Sequence, residues 1–265
     1  MMCATPLCRA TSASSTTSRY RRRRNPMTKT WTEDHPAFQV AASRRILARE
    51  GCESRVAGHV SVRDAERSDA FWVSPFGYFS ETLPSDVNCY DMELNLLDGD
   101  TPASPAVRFH AGFYEARPDA NSVIHTHSHY VEVLSTTGKD VGLYSADACL
   151  FYQEQAHYAD DGIGTPVDGP LMAEALGQRS VVLIGNHGAC FVCPSLEEAT
   201  IKAIAYETSA RAHFEAQIVG GHEMVEAEAA RAKKAYHKHF IPMMWEANYR
   251  RLRKTDADLF ETLAD

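Results

Sequence analysis

Two histidines separated by one residue follow an apolar run in the middle of the chain. His125 and His127 come after Val123 and Ile124. Successive side chains of a β-strand point to opposite faces, so a strand here would place both imidazoles on one face, with about 7 Å between their Cα atoms. Two imidazoles so placed can converge on one metal ion. The motif therefore predicts a strand over residues 122–127 that ends at a metal site.

A third histidine lies in a similar context. His187 follows the apolar residues 181–184 and is flanked by Gly185 and Gly188, which would let the backbone bend closely around a ligand. Three histidines with an open coordination position are typical of catalytic metal sites, whereas structural zinc sites are usually closed by four protein ligands. The alternative interpretation is three polar histidines at strand ends without an ion. The number of suitable ligands favours the metal site.

Length and composition predict one globular enzyme-sized domain. The chain has 265 residues, of which 44% are hydrophobic and 23% charged, enough for one large core. No apolar stretch reaches about 18 residues, so we expect no transmembrane helix and no membrane partner. Seven cysteines without regular spacing do not resemble a disulfide framework and favour a reducing, cytoplasmic location. Cys190 and Cys193 would face opposite sides of a strand, which favours a structural role over a metal-binding CxxC pair.

The first residues of the chain differ in composition from the rest. Residues 1–26 are rich in Ser, Thr and Arg and contain no acid. We predict a disordered basic tail over residues 1–30 and a single domain over residues 31–265. A transit peptide, a tail translated from an upstream start and a nucleic-acid arm are alternative origins for this tail. The net charge is −8 and this segment carries six arginines, so −14 remains for the other residues, which argues against nucleic-acid binding by the domain.

Hydrophobic periodicity and capping residues predict a mixed α/β order. The segment that begins at Ser195, with Glu198 three residues later, has the capping-box pattern of a long helix that ends near Gly220. Residues 140–166 have the composition of an irregular loop. Helices are predicted at 36–50, 107–117, 129–136, 168–177, 195–220, 222–239 and 240–261, and strands at 59–64, 70–74, 92–97, 122–127 and 181–184.

Together these segments resemble the class II aldolase/adducin family. The resemblance rests mainly on residues 116–128, which read ARPDANSVIHTHS, and on Asn186-His187-Gly188. Residues 58–63 are similar to the family's GNxSxR loop, and residues 74–77 to its TPSG loop. The resemblance covers roughly residues 36 to 255. It implies a three-layer α/β/α sandwich around a central, largely antiparallel sheet, with a C-terminal helical extension, assembled as a homotetramer with sites at subunit interfaces.

The resemblance also implies a divalent metal held by His125, His127 and His187. Zinc is the metal that the family favours, and Fe(II) or manganese are alternatives. The glutamate that serves the sugar-phosphate aldolases as ligand and base falls on Ala106 here, and residues 101–110 contain no Asp or Glu. Ions at such a site keep their full charge and more open positions, which suits an anionic chelating substrate.

Two further departures concern the family's phosphate pocket. Ser104 is retained, but Pro105 stands where a second serine belongs, and His59 replaces the loop asparagine. Proline has neither a hydroxyl nor an N–H group to donate. We therefore expect a small non-phosphorylated carboxylate as substrate.

Several residues are candidates for substrate contacts or proton transfer. His59, Ser74, Gly77 and Ser104 are predicted to bind substrate, although Gly77 also suits a plain turn. His129, two residues after the histidine pair, is a candidate catalytic acid or base, and its alternative interpretation is a solvated residue at a helix start.

These features lead to three functional hypotheses. The first is a metal-dependent carbon–carbon lyase or decarboxylase acting on a small oxo, hydroxy or aromatic acid. The second is a non-haem Fe(II) oxygenase that uses the same three histidines. The third is a non-catalytic, adducin-like binding domain, against which the intact histidine trio argues.

Overall fold

An eight-stranded sheet forms the centre of the protein in the computed structural model, which describes residues 30–101, 104–159 and 168–264. The strand order is β4-β3-β2-β1-β5-β8-β7-β6, and every neighbouring pair is antiparallel except β6 and β7. The predicted largely antiparallel sheet is therefore confirmed. The strands are β1 His59–Arg63, β2 Ala70–Val73, β3 Asn88–Asp91, β4 Leu96–Asp98, β5 Ser122–Thr126, β6 Gln155–Tyr158, β7 Val181–Ile184 and β8 Gly188–Cys193.

Helices cover both faces of this sheet, which confirms the three-layer α/β/α sandwich. One apolar core lies between the sheet and α1, α3, α5 and α7, and a second lies between the sheet and α2 and α4. The helices are α1 Pro36–Arg49, α2 Arg108–Ala116, α3 His129–Ser135, α4 Gly169–Leu176, α5 Leu196–Val219, α6 Glu226–Ala235, α7 Ile241–Thr255 and α8 Ala257–Phe260.

The long helix α5 begins and ends as its sequence predicts. The hydroxyl of Ser195 accepts a hydrogen bond of 3.2 Å from the backbone N–H of Glu198 and so satisfies one of the free donors of the first turn. The helix stops at Gly220, whose φ of 72° lies in the left-handed region that glycine adopts without strain. Local signals therefore determine both ends of the helix that underlies the central strands.

The two cysteines of the CxxC pair lie in β8 and point into different cores. Cys193 packs in the core beside α5, whereas Cys190 packs in the core beside α2 and α4. Both side chains are fully buried. This placement is the one expected from strand alternation, and it separates the two thiols by the thickness of the sheet.

Three segments differ from the elements that periodicity predicts. The strand predicted at 92–97 begins only at Leu96, since residues 92–95 form the turn between β3 and β4. The predicted irregular stretch 140–166 is described only to residue 159, and this part is not wholly irregular, because β6 pairs in parallel with β7. Residues 160–166 lie outside the described residues. The charged helix begins at Glu226 rather than at 222 and runs into a π-helical segment, Tyr236–Phe240.

The predicted basic tail lies outside the described residues, apart from Thr30. Within the described ranges, no helix combines the length and the apolar character that crossing a membrane requires.

Candidate metal centre

The histidine pair lies at the end of β5, in the middle of the sheet. His125 faces His59 of β1 on one side and Cys190 of β8 on the other in the strand register. His127 follows the last residue of the strand, and its backbone N–H donates a hydrogen bond of 2.9 Å to the hydroxyl of Ser54. The strand predicted from the sequence is therefore confirmed, and it presents both imidazoles at one end of the sheet.

The third histidine is carried by the tight turn between β7 and β8. The backbone N–H of His187 donates to the carbonyl of Ile184 and to the hydroxyl of Ser135, both at 3.1 Å. A Cβ atom at Gly188 would lie only 2.3 Å from the carbonyl oxygen of Thr126. Glycine is therefore required at this position, because it allows the turn to pack directly against the end of β5.

The three imidazoles converge as the spacing predicts. One ligand nitrogen from each of His125, His127 and His187 lies within 4.8 Å of the other two. The Nε2 atoms of His125 and His127 are 2.7 Å apart. The rings of His127 and His187 have centroids 4.6 Å apart. Two segments that lie far apart in the sequence thus bring three nitrogen ligands close together.

Burial keeps the first two imidazoles neutral, which is the form that binds metal ions. Burial, followed by the neighbouring His127, holds the pKa of His125 well below its ordinary value. Burial, followed by the neighbouring His187 and Arg55, lowers the pKa of His127 to about 4. Nδ1 of His125 lies 3.0 Å from the carbonyl oxygen of Ala189. Only a protonated Nδ1 can donate to that oxygen, so the lone pair of this neutral ring is on Nε2, toward the other histidines.

The histidine group includes no carboxylate or thiolate among the described residues. Ala106, at the position of the family's expected glutamate, is a buried residue of the short 3₁₀ turn Pro105–Val107. The donor set is therefore three imidazoles, which suits zinc and other first-row divalent ions. These residues fit a resident metal ion with coordination positions left for other ligands.

Comparisons with known proteins assign the domain to a family. Residues 38–214 match the profile of the "Class II Aldolase and Adducin N-terminal domain". The chain belongs to the class II aldolase and adducin family.

Individual members of the family are similar over most of this domain. The chain is 31% identical over 201 residues to "4-hydroxy-3-prenylphenylpyruvate oxygenase/4-hydroxy-3-prenylbenzoate synthase" of Streptomyces roseochromogenus subsp. oscitans, covering 73% of this chain and 72% of that protein. It is 30% identical to "Decarboxylase NovR" of Streptomyces niveus, covering 73% and 74% of the two chains. The solved L-fuculose 1-phosphate aldolase from Glaciozyma antarctica PI12 superposes with a TM-score of 0.77 at 26% identity, covering 88% of this chain and 96% of that one.

Beside the histidine group lie two further buried imidazoles. His59 is the first residue of β1 rather than part of an open loop, and its ring stacks near His125 with centroids 5.7 Å apart. His110 of α2 has its centroid 5.6 Å from that of His59. Both ring nitrogens of His59 and Nε2 of His110 are buried without a hydrogen-bond partner among the described residues. Burial holds the pKa of His59 well below its ordinary value and lowers that of His110 to about 3.

The other substrate-binding candidates have defined local roles. The buried hydroxyl of Ser74 accepts a hydrogen bond of 3.0 Å from the backbone N–H of Val60. The carbonyl of Gly77 accepts from the buried guanidinium of Arg44. The hydroxyl of Ser104 accepts from the backbone N–H of Ala106 at 3.2 Å and so caps the 3₁₀ turn. Each of these hydrogen bonds stabilises the local backbone in which Ser74, Gly77 or Ser104 lies.

The candidate acid or base His129 is not part of the histidine group. It is the first residue of α3 and is exposed, with its ring against Tyr130 at a centroid distance of 5.0 Å. This position matches the alternative interpretation of His129, an exposed residue at the start of a helix.

Sequence reasoning missed the residues that hold the histidines in place. Ser54 and Ser135 anchor the backbone N–H groups of His127 and His187. The hydroxyl of Ser61 lies 2.7 Å from both Nδ1 of His110 and the hydroxyl of Tyr114, and so links β1 to α2 beside the site. Serines leave no distinctive spacing in a sequence, so only their positions in space reveal this support.

Proposed function

We propose that the protein is a metal-dependent carbon–carbon lyase or decarboxylase that acts on a small non-phosphorylated oxo, hydroxy or aromatic acid. The observation that carries this proposal is the convergence of His125, His127 and His187 without an acidic residue in the group. A divalent ion there would supply a Lewis acid that stabilises negative charge on substrate oxygens after a C–C bond breaks.

In this proposal the histidines act as fixed neutral ligands. His125 is oriented by the carbonyl of Ala189, and His127 and His187 are held through their backbone N–H groups. Three neutral ligands do not reduce the charge of a bound ion, whereas a glutamate ligand would. Three histidine ligands therefore favour an anionic substrate that can bind the ion through two oxygens.

Two features beside Ala106 support a substrate without phosphate. The hydroxyl of Ser104 already accepts the N–H of Ala106, and Pro105 has no N–H to offer an anion. A pocket that relies on serine hydroxyls and backbone amides would have fewer donors here. We therefore assign a carboxylate, rather than a phosphate, to the anionic group of the substrate.

His59 has the strongest support among the substrate-binding candidates. Its two unpartnered ring nitrogens lie beside His125, and a buried polar group without a partner costs about 1–3 kcal/mol. We propose that one of these nitrogens orients a polar group of the substrate or of the ion's remaining ligands. Contacts of substrate with Ser74, Gly77 and Ser104, and proton transfer by His129, stay predictions, as do the homotetramer and the cytoplasmic location.

A second candidate function is an Fe(II)-dependent oxygenase. It is favoured by the 31% identity to a protein that is named an oxygenase of a prenylated hydroxyphenylpyruvate. Three histidines with open positions also suit ferrous iron and a bidentate acid. The two candidates share the ligands and differ in the metal and in the need for O₂.

Elemental analysis of protein purified without chelators, followed by assays with and without oxygen, tests the proposal. We expect about one divalent ion per chain and loss of roughly nine-tenths of it or more in His187→Ala. The control His222→Ala removes an exposed histidine from the loop before α6 and should keep the metal. Zinc or manganese with anaerobic turnover of an oxo, hydroxy or aromatic acid supports the lyase.

Three outcomes contradict the proposal. Iron together with substrate-dependent O₂ uptake establishes the oxygenase instead. Full metal content in His187→Ala shows that the ligand assignment is wrong, and no stoichiometric metal in the wild-type protein removes both enzymatic candidates.

A further inference from the structure

A second site candidate is a groove on the helical side of the protein. It has a volume of about 640 Å³ and lies between α6 with its π-helical continuation on one side and Tyr152 and Gln153 on the other. None of its lining residues belongs to the histidine group at the end of β5. Its lining residues are Tyr152, Gln153, Ala230, Lys233, Lys234, His237 and Lys238.

The inner residues of this groove already pair with half-buried carboxylates. Nζ of Lys233 pairs with Glu154 and donates a hydrogen bond of 2.9 Å to the carbonyl of Tyr152. Nδ1 of His237 lies 3.6 Å from Glu198, which in turn pairs with the buried Lys202 at 2.7 Å. These contacts fix the floor of the groove and leave little free charge on it.

The outer residues differ in this respect. Lys234 and Lys238 are exposed, and neither forms an ion pair with an acid in the described part of the chain. They stand four residues apart, a spacing at which like charges on a helix destabilise each other by a few tenths of a kcal/mol. Outside the first 26 residues the chain carries a formal charge of −14. Two unpaired lysines in one groove are therefore a local positive site on an acidic protein.

The backbone that carries these side chains is itself irregular. Residues Tyr236–Phe240 form a π-helical segment, which interrupts what would otherwise be a continuous helix from α6 to α7. π-Helical segments are rare in proteins. Those that occur are frequently found at functional sites. Here the segment carries His237 and Lys238, which both line the groove.

We propose that this groove binds a small polyvalent anion, with Lys234 and Lys238 as its charged contacts. The volume lies within the range of small-molecule sites, roughly 300–1,000 Å³. Carboxylates and phosphate monoesters share the chemistry that two ammonium groups recognise, namely several negative oxygens within reach of charge-assisted hydrogen bonds. The hydroxyl of Tyr152 already donates to Glu226 at 2.9 Å, and Nζ of Lys233 already pairs with Glu154. Lys234 and Lys238 are therefore the lysines of the groove without an acidic partner in the described part of the chain.

Isothermal titration calorimetry at constant ionic strength tests this proposal, with tricarballylate and glycerol 2-phosphate as probes. We expect saturable binding of at least one probe, with a Kd below about 1 mM. The double variant Lys234→Gln/Lys238→Gln should weaken that binding about tenfold or more, because it removes two charge-assisted contacts. Stronger binding of tricarballylate identifies a polycarboxylate ligand, and stronger binding of glycerol 2-phosphate identifies a phosphate ester.

Two control variants separate the groove from general charge and from the histidine group. Arg231→Gln removes one exposed positive charge from α6 outside the groove lining and should bind the probe as the wild type does. His187→Ala should also bind it unchanged, so that the outcome does not depend on the proposed lyase function. The proposal is overturned if neither probe saturates, if the double variant binds as tightly as the wild type, or if His187→Ala abolishes binding.

Discussion

The end of the sheet that carries the histidines and the groove beside α6 use nitrogen groups in opposite ways. At the sheet end, burial lowers the pKa values of His125 and His127, so their nitrogens keep lone pairs that can bind a metal. In the groove, Lys234 and Lys238 are exposed, and neither forms an ion pair with an acid in the described part of the chain. The comparison teaches that an imidazole buried without an acidic partner is available as a metal ligand, whereas an exposed lysine without an acidic partner is available to bind anions.

The tightly packed turn before β8 should tolerate an added side-chain atom far less well than the loop at Gly77 does. Gly188→Ala should destabilise the protein by about 3–5 kcal/mol, because its Cβ would lie 2.3 Å from the carbonyl oxygen of Thr126. The matched variant Gly77→Ala should change stability by less than about 1 kcal/mol, since its nearest atom would be Glu81 Oε1 at 3.7 Å. Urea denaturation of both variants measures the difference. Equal stabilities would show that the turn before β8 can move away from β5.

The buried imidazoles should make the metal-free protein sensitive to mild acid. Burial lowers the pKa of His110 to about 3, whereas an unfolded histidine titrates near pH 6.5. Between these values the unfolded chain binds more protons than the folded one, so stability is fully present above pH 6.5 and falls as the pH falls. His110 alone should account for a loss of about 3 kcal/mol between pH 6.5 and pH 4.

Urea denaturation of chelator-treated protein across this pH range measures the loss. The variant His110→Gln should give a flatter curve, because its side chain does not titrate. If the variant does not fold, the wild-type curve is sufficient, since constant stability from pH 6.5 to pH 5 would contradict the neutral, buried state of this ring.

Removal of an acid from the ion pairs beneath the groove should also destabilise the protein. Lys202 is 2% exposed and pairs with Glu198 at 2.7 Å. Glu198→Gln should therefore destabilise the protein by about 2 kcal/mol at pH 7, because a buried ammonium loses its partner. Its matched control on the same helix is Glu215→Gln, whose exposed pair with Arg211 should contribute less than about 0.5 kcal/mol.

The pH dependence of the Glu198 variant sharpens the contrast with the sheet end. Burial alone would raise the pKa of Glu198, but the hydrogen bond with His237 and the charge of Lys202 lower it to about 2. A carboxyl group with a depressed pKa stabilises the fold above its unfolded value, near pH 4.5, and loses that effect as the pH falls toward 2. The difference between wild type and variant should therefore persist at pH 5. Its disappearance between pH 6.5 and pH 5 would show that histidine protonation governs both regions.

Most of the framework could be predicted from local patterns. Pro36, Gly51, Ser195 and Gly220 mark the ends of α1 and α5 because caps and breakers act within a few residues. The strand at the histidine pair followed from alternation in the same way. The strand predicted at 92–97 was wrong for residues 92–95, which form the turn between two short strands. Alternation over so few residues does not distinguish a strand from a turn.

The sequence by itself determined which side chains could bind a metal, that the expected acid is absent at Ala106, and where the main helices begin and end. These properties depend on residue type and on spacing within a few positions. Only the tertiary structure decided that the turn at His187 packs against the end of β5, that His59 and His110 lie buried beside His125, and that Lys234 and Lys238 share a groove. Burial and convergence arise from contacts between segments that are distant along the chain, and no local pattern specifies them.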